Sequence, residues 1–353
     1  MSDRECEMST SSNAQHLRWG ILGGGNIAQQ FGAALATSAN GTLVSVGTRS
    51  AVPSPPAEFD GARMVTGYDE LLADADVDAV YIGLPHPFHA NWAIRAVQAG
   101  RHVLCEKPIA INVAEATEIF SAAERANCLV MEAFMYRAQR QTQTLIDIIQ
   151  SGRIGVPRFI SATFGYNRPF DPAGRHFANE LGGGAIMDVG CYPVSLARLI
   201  AGLAAGKPYA EPAVLHAVGT IGAARTDEEA TALMQFDDGF SAVVVTCTSL
   251  PQGYGARIVG TLGTIAIPSP WFCQGKQGGA SEIVVTSLDG PSEHIVVEDD
   301  RWLFAVEADV FADSLARGEV IWPAMSQGDT LGNMATLDRW RQAIGVRYDA
   351  ELS

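Results

Sequence analysis

The feature that most constrains this chain is Gly23-Gly24-Gly25-Asn26-Ile27-Ala28, a GxGxxA turn between an apolar run and a helical repeat. Residues 17–22 are largely apolar and read as a strand. Residues 26–38 carry helical spacing through Ile27, Phe31, Ala34 and Leu35 until Asn40-Gly41 stops them. A glycine turn from strand to helix lets backbone N–H groups and the positive helix end hold a pyrophosphate. Taken alone, such a loop could simply turn.

The rest of the first 135 residues argues for the dinucleotide. A second strand at 42–48, a helical segment at 68–73 and an apolar run at 77–84 are followed by a helix at 90–99, a strand at 102–105, a helix at 113–126 and a strand at 129–133. Strands alternating with helices imply right-handed crossovers and a parallel sheet. Beyond a helix at 141–151 the pattern changes to extended segments at 158–166, 213–221, 231–247 with an Asp238-Gly239 turn, 256–267, 282–286 and 294–298. These read as a large, mostly antiparallel open sheet. Helices near 302–316 and 329–344 close the chain.

A length of 353 residues favours two domains. We divide the chain into a disordered tail (1–16), an α/β Rossmann domain (17–135) and an α+β substrate-binding and oligomerisation domain (136–353). The formal charge of -15 repels nucleic acid and anionic membrane surfaces. No uninterrupted apolar stretch of membrane-spanning length occurs, and residues 1–13 lack a signal-peptide core. A cytoplasmic protein is expected. The six cysteines, Cys6 among them, form no CxxC pair and read as free thiols.

In dinucleotide-binding folds an acidic residue roughly 20 positions beyond the glycines accepts the ribose 2′-hydroxyl of NAD. Here no Asp or Glu lies between Met8 and Ala57, and the second strand ends in Thr48-Arg49-Ser50. A guanidinium flanked by hydroxyls suits the 2′-phosphate of NADP, with NAD the alternative. A solvated loop is the bland reading of Arg49.

Two further segments carry chemistry. Cys105-Glu106-Lys107-Pro108 ends a strand at the carboxyl edge of the sheet, where open α/β folds bind ligands. Only three of the 24 basic residues are lysines, which makes Lys107 worth weighing. The run Gly182-Gly183-Gly184-Ala185-Ile186-Met187-Asp188-Val189-Gly190-Cys191-Tyr192 puts Asp188 and Tyr192 on one helical face. Against this, Pro193 biases Tyr192 away from helical geometry.

The glycine turn, the Glu-Lys-Pro tripeptide, Met131-Glu132-Ala133-Phe134-Met135-Tyr136-Arg137 and the GGGxxxDxGxY run together resemble the glucose-fructose oxidoreductase/inositol dehydrogenase (Gfo/Idh/MocA) family. Within it the NADP D-xylose dehydrogenase and dimeric dihydrodiol dehydrogenase branch is most similar, because Tyr192 stands where inositol dehydrogenases carry His. The resemblance implies a Rossmann domain, a C-terminal open sheet that often forms a homodimer or homotetramer, and redox chemistry at a sugar-like hydroxyl. It places Leu84, His86 and His89 beside the nicotinamide half of the cofactor, with Glu106 and Lys107 nearby. Gly23, Gly25, Asn26 and Ile27 would take the pyrophosphate.

Hydride transfer needs a group to move the hydroxyl proton. Tyr192 is the candidate acid/base, Lys107 the ammonium that would lower its pKa, and Asp188 a hydrogen-bond acceptor that orients substrate. Arg168 and His176, in the segment before Gly182, are further substrate contacts. The pair His86 and His89 lacks a third ligand, so no metal is expected. The resulting expectation is an NADP-dependent oxidoreductase acting on a pyranose or related cyclic polyol. Its rivals are a non-catalytic, cofactor-binding regulator of the same fold and an enzyme with a tightly held cofactor.

Overall fold

The structure, a computed structural model, describes residues 16–351, so nearly all of the expected tail, with Cys6, lies outside the described residues. The first lobe runs β1 (Leu17–Leu22), α1 (Asn26–Leu35), β2 (Gly41–Thr48), β3 (Arg63–Thr66), α2 (Tyr68–Leu72), β4 (Ala79–Ile82), α3 (His89–Gln98), β5 (His102–Glu106), α4 (Val113–Ala126) and β6 (Val130–Ala133). Its six strands are parallel, in the order β3-β2-β1-β4-β5-β6. Both faces are covered, which is why β4 is apolar at every position instead of alternating. The order reverses between β1 and β4, and the crevice beyond their carboxyl ends is the ligand position of such sheets. Strand β3 was not among the expected elements. It has four residues, only Val65 of them buried, and so offers no hydrophobic run to detect.

The chain continues through α5 (Arg140–Gln150), β7 (Pro157–Asn167), α6 (Cys191–Ala204), β8 (Pro212–Ile221), β9 (Asp227–Phe236), β10 (Ser241–Cys247), β11 (Ser249–Gly260), β12 (Gly263–Ile267), β13 (Gly279–Ser287), β14 (Ser292–Asp299), α7 (Leu303–Arg317) and α8 (Gln327–Ile344). The eight strands form one sheet, β14-β13-β12-β11-β7-β10-β9-β8, in which only β7 and β10 pair in parallel. Alternation sorts its two faces. Ile160, Ala162, Phe164, Ala242, Val244, Ile258 and Ile283 point inward and are buried, whereas Val218, Leu233 and Val296 stand exposed on the opposite face.

Helix α6, which the sequence reading did not isolate, lies under the inner face and is buried on every side from Cys191 to Gly202. That position accounts for its all-round apolarity. Eighteen residues within the helical stretch Asn179–Ala204 have the length and hydropathy of a membrane span, yet 94% of them are buried in the fold, so they serve the core.

The last two helices return to the first lobe. Asp309 of α7 accepts hydrogen bonds from the Ser38 hydroxyl (2.6 Å) and the Asn40 amide (3.0 Å), and Phe311 packs on Trp19 with ring centres 5.2 Å apart. On α8, Asp338 accepts from the Val113 amide (2.9 Å) and Arg341 donates to the Ile111 carbonyl (2.9 Å). Within the second lobe, buried Arg137 pairs with Asp329, which also holds buried Arg198.

Candidate active site

The nucleotide cradle forms at the β1–α1 turn. Gly23 has φ +115°, and a Cβ there would lie 2.8 Å from the Gly83 carbonyl oxygen, so glycine is required. A Cβ on Gly25 would meet nothing within 4 Å, leaving open space over the helix start. No side chain caps α1, whose first N–H groups face that space around Asn26 and Ile27. At the end of β2, Thr48 donates to the Ser50 carbonyl (2.9 Å), and exposed Arg49 has no ion-pair or hydrogen-bond partner among the described residues. These residues fit a dinucleotide carrying an extra phosphate.

Beside the cradle, His86 and His89 are occupied by the fold. His86 is buried, its Nδ1 is 3.0 Å from the Gly182 carbonyl oxygen, and burial lowers its pKa to about 3. His89 is fully buried, with Nδ1 2.8 Å from the Pro108 oxygen and Nε2 2.7 Å from the Leu84 oxygen. The first joins the two lobes. The second pins the loop after β4 to the loop after β5 through both ring nitrogens, whereas His86 is bonded through Nδ1 only. Glu106 is likewise engaged, accepting from the Tyr81 hydroxyl and the Lys107 amide.

The peptide between Lys107 and Pro108 is cis. From there the Lys107 ammonium reaches a five-residue π-turn, Ile186–Gly190, that leads into α6. Gly184 enters this turn at φ +111°, where a Cβ would meet Asp227 Oδ1 at 2.3 Å. Lys107 Nζ donates to the Asp188 main-chain oxygen at 2.6 Å, lies 3.9 Å from Asp188 Oδ1 and sits 5.2 Å from the centre of the Tyr192 ring. The expected convergence of Lys107, Asp188 and Tyr192 is therefore present.

Pro193 does not displace Tyr192 as anticipated. It occupies the first turn of α6, where its missing N–H is tolerated. A π-turn pairs a carbonyl with the N–H five residues on, and at position 193 there is none. The Asp188 carbonyl is thereby open to Lys107.

Electrostatics separate the roles. Burial, then Glu106 and Cys191, push the Tyr192 phenol well above its ordinary pKa. The lowering anticipated from Lys107 is outweighed, because the ammonium lies over the ring and is bound to a carbonyl. Burial alone would raise Asp188, but Lys107, Arg175 and the Tyr166 hydrogen bond hold it well below the usual carboxylate range. The site thus joins a neutral phenol to an ionised carboxylate.

Tyr166 donates its hydroxyl to Asp188 Oδ2, and Arg175 donates to Oδ1 at 3.2 Å. His176 packs edge-on against Tyr166, and the Arg168 guanidinium lies 5.7 Å from the centre of that ring. Burial and Arg175 lower the His176 pKa to about 4. Tyr166, Arg175 and Tyr81 were missed by sequence reasoning. A signal existed for Tyr166: it continues the inward alternation of Ile160, Ala162 and Phe164 to the end of β7.

Fold and site together define a dinucleotide-dependent oxidoreductase. Residues 17–134 match the oxidoreductase family with NAD-binding Rossmann fold (GFO/IDH/MocA), and residues 142–266 match the GFO/IDH/MocA C-terminal domain. The chain belongs to this family. It is 31% identical to the trans-1,2-dihydrobenzene-1,2-diol dehydrogenase of Xenopus laevis over 94% of this chain and 99% of that one. It is also 31% identical to D-xylose 1-dehydrogenase (NADP(+)) 2 of Haloferax volcanii, over 77% of this chain and 79% of the relative. A 3-ketoreductase from Actinomadura kijaniata, solved with NADP and TDP-benzene, superposes with a TM-score of 0.79 at 26% identity, covering 93% of this chain and 98% of that one.

Proposed function

We propose that the chain is an NADP-dependent oxidoreductase that moves a hydride between nicotinamide and a hydroxyl or keto carbon of a pyranose or related cyclic polyol. The observation that carries this reading is the convergence of the Lys107 ammonium, the Asp188 carboxylate and the Tyr192 phenol beyond the carboxyl ends of the Rossmann strands. Xylose, dihydrodiol and keto-sugar relatives support the substrate class, and unpartnered Arg49 supports NADP.

When bound, the nicotinamide supplies or accepts the hydride. In the reducing direction the raised pKa of Tyr192 keeps its proton ready for the substrate oxygen. As that proton leaves, the ammonium over the ring stabilises the phenolate. Asp188, held ionised, accepts a hydrogen bond from a hydroxyl next to the reacting carbon. Burial of Tyr192 to 4% exposure keeps water from competing for these groups. Aldoses, anhydrosugars, ketosugars and trans-dihydrodiols are the substrates to screen, each with NAD and NADP, following nicotinamide absorbance in both directions. Turnover of sugars or diols with NADP is the expected result, and aliphatic alcohols serving equally well would refute it.

The exposed sheet face supports self-association. Val214, Val218, Leu233 and Val296 lie on one side of the sheet, with Val218 71% exposed, and a second copy covering them would give a homodimer or homotetramer. Free Cys105, Cys128, Cys191, Cys247 and Cys273 are consistent with a cytoplasmic enzyme.

A further inference from the structure

Cations gather on one wall of the site in a chain whose net charge is -15. Lys107 and Arg175 flank the ionised carboxylate of Asp188, and Arg168 lies further out over Tyr166. Lys107 and Arg175 contact Asp188 at 3.9 and 3.2 Å, and Arg168 stacks on the tyrosine whose hydroxyl Asp188 accepts. The two arginines have donors to spare. Arg175 gives one N–H to Asp188, and its side chain is 51% exposed. The Arg168 guanidinium makes no hydrogen bond or ion pair among the described residues.

The loop that presents them is built. The Arg168 amide donates to the Thr248 carbonyl at 2.9 Å, and Phe170 packs on Phe177 with ring centres 5.2 Å apart. Asp171, the one carboxylate of this loop, accepts from the Ala173 amide at 3.1 Å and pairs with neither arginine. Forked guanidinium donors at a partly desolvated rim match an oxyanion, and a neutral hydroxyl would leave most of them unused.

We infer that Arg168 and Arg175 form an oxyanion subsite, so that the substrate is a sugar bearing a carboxylate or phosphoryl group beside the reacting ring. This rests on the sugar-oxidoreductase reading and narrows its substrate. Arg168 then fixes the charged substituent, while Arg175 bridges it to Asp188. The field of the three cations draws the anion into an otherwise acidic protein.

The test compares D-glucose with D-glucuronate, glucose 6-phosphate, glucose 1-phosphate and UDP-glucose, as oxidation substrates with NADP and as ligands of the NADP-loaded protein by calorimetry. At least one anionic sugar should exceed glucose by about 10- to 100-fold in kcat/KM or Kd, as charge-assisted contacts allow. Which one does so identifies the source of the oxyanion. The anionic-to-neutral ratio should collapse toward one in Arg168→Gln and fall in Arg175→Gln, and it should shrink as KCl is raised. Glucose matching every anionic counterpart overturns the subsite, as does a preference that survives both substitutions. If no sugar is turned over, the sugar-oxidoreductase reading fails. The calorimetric ratio then decides the subsite alone, supporting it if Arg168→Gln abolishes anion preference and overturning it if no preference exists.

Discussion

The Lys107 ammonium is held by the main chain of Asp188: Nζ donates to the Asp188 carbonyl oxygen at 2.6 Å, while the carboxylate of the same residue stands 3.9 Å away. One residue thus both orients the lysine and neutralises it. The lysine is thereby fixed over the Tyr192 ring without being drawn onto the phenol oxygen.

If this geometry serves proton transfer, Tyr192→Phe and Lys107→Ala should each lower turnover by about 100-fold or more, within the range of general acid catalysis. NADP binding should remain measurable in the tyrosine variant by fluorescence titration. Wild-type turnover in Tyr192→Phe would move the proton-transfer role elsewhere, with His176 the first candidate.

Pro193 should matter through the N–H it lacks. In Pro193→Ala the restored amide can compete for the Asp188 carbonyl, loosening Lys107. Turnover should drop about 3- to 10-fold, as expected for the loss of one partly exposed hydrogen bond, with the thermal midpoint hardly changed. Unchanged kinetics would show that the lysine is positioned by the carboxylate alone.

Arg49→Ala should weaken NADP by roughly 10- to 100-fold and leave NAD nearly unaffected, since one charge-assisted phosphate contact is lost. Equal losses for both cofactors would show that Arg49 does not read the 2′-phosphate.

How much of this was legible follows from where each signal lies. The cradle was readable because strand, glycine turn and helix are contiguous, and a single positive-φ glycine marks the close approach of β1 to the residue after β4. Lys107, Asp188 and Tyr192 were readable because short motifs hold them. The placement of α7 on α1 was not, since Ser38 and Asp309 are 271 residues apart and each is unremarkable locally. Nor were the states of His86, His89 and Tyr192, which depend on carbonyls and carboxylates that folding brings from distant segments. Arg175 was obscured in an arginine-rich chain, where only its contact with Asp188 distinguishes it.

The outer sheet face should decide assembly. Val218→Asp with Leu233→Glu places charges among exposed apolar residues of adjacent strands, where a buried interface could not accommodate them. Light scattering should show an oligomer for the wild type and a monomer for the double variant, both folded by circular dichroism. An unchanged mass would exclude this face.

The last prediction concerns pH and stability. Glu132 is buried, its Oε1 accepts from the Ile109 amide at 3.0 Å, and burial lifts its pKa from 4.5 to about 8. A folded-state pKa above the unfolded value means that the native protein holds the proton more tightly. The associated stability is full below pH 4.5 and is lost as pH rises through 8. The loss is at most about 5 kcal/mol, at about 1.4 kcal/mol per unit. Glu132→Gln can keep the acceptor for Ile109 and has no proton to lose, so its unfolding free energy should vary less between pH 5 and about pH 9 than that of the wild type. Urea melts at intervals across that range check this, and parallel curves for the two proteins would mean that Glu132 titrates alike in the folded and unfolded states.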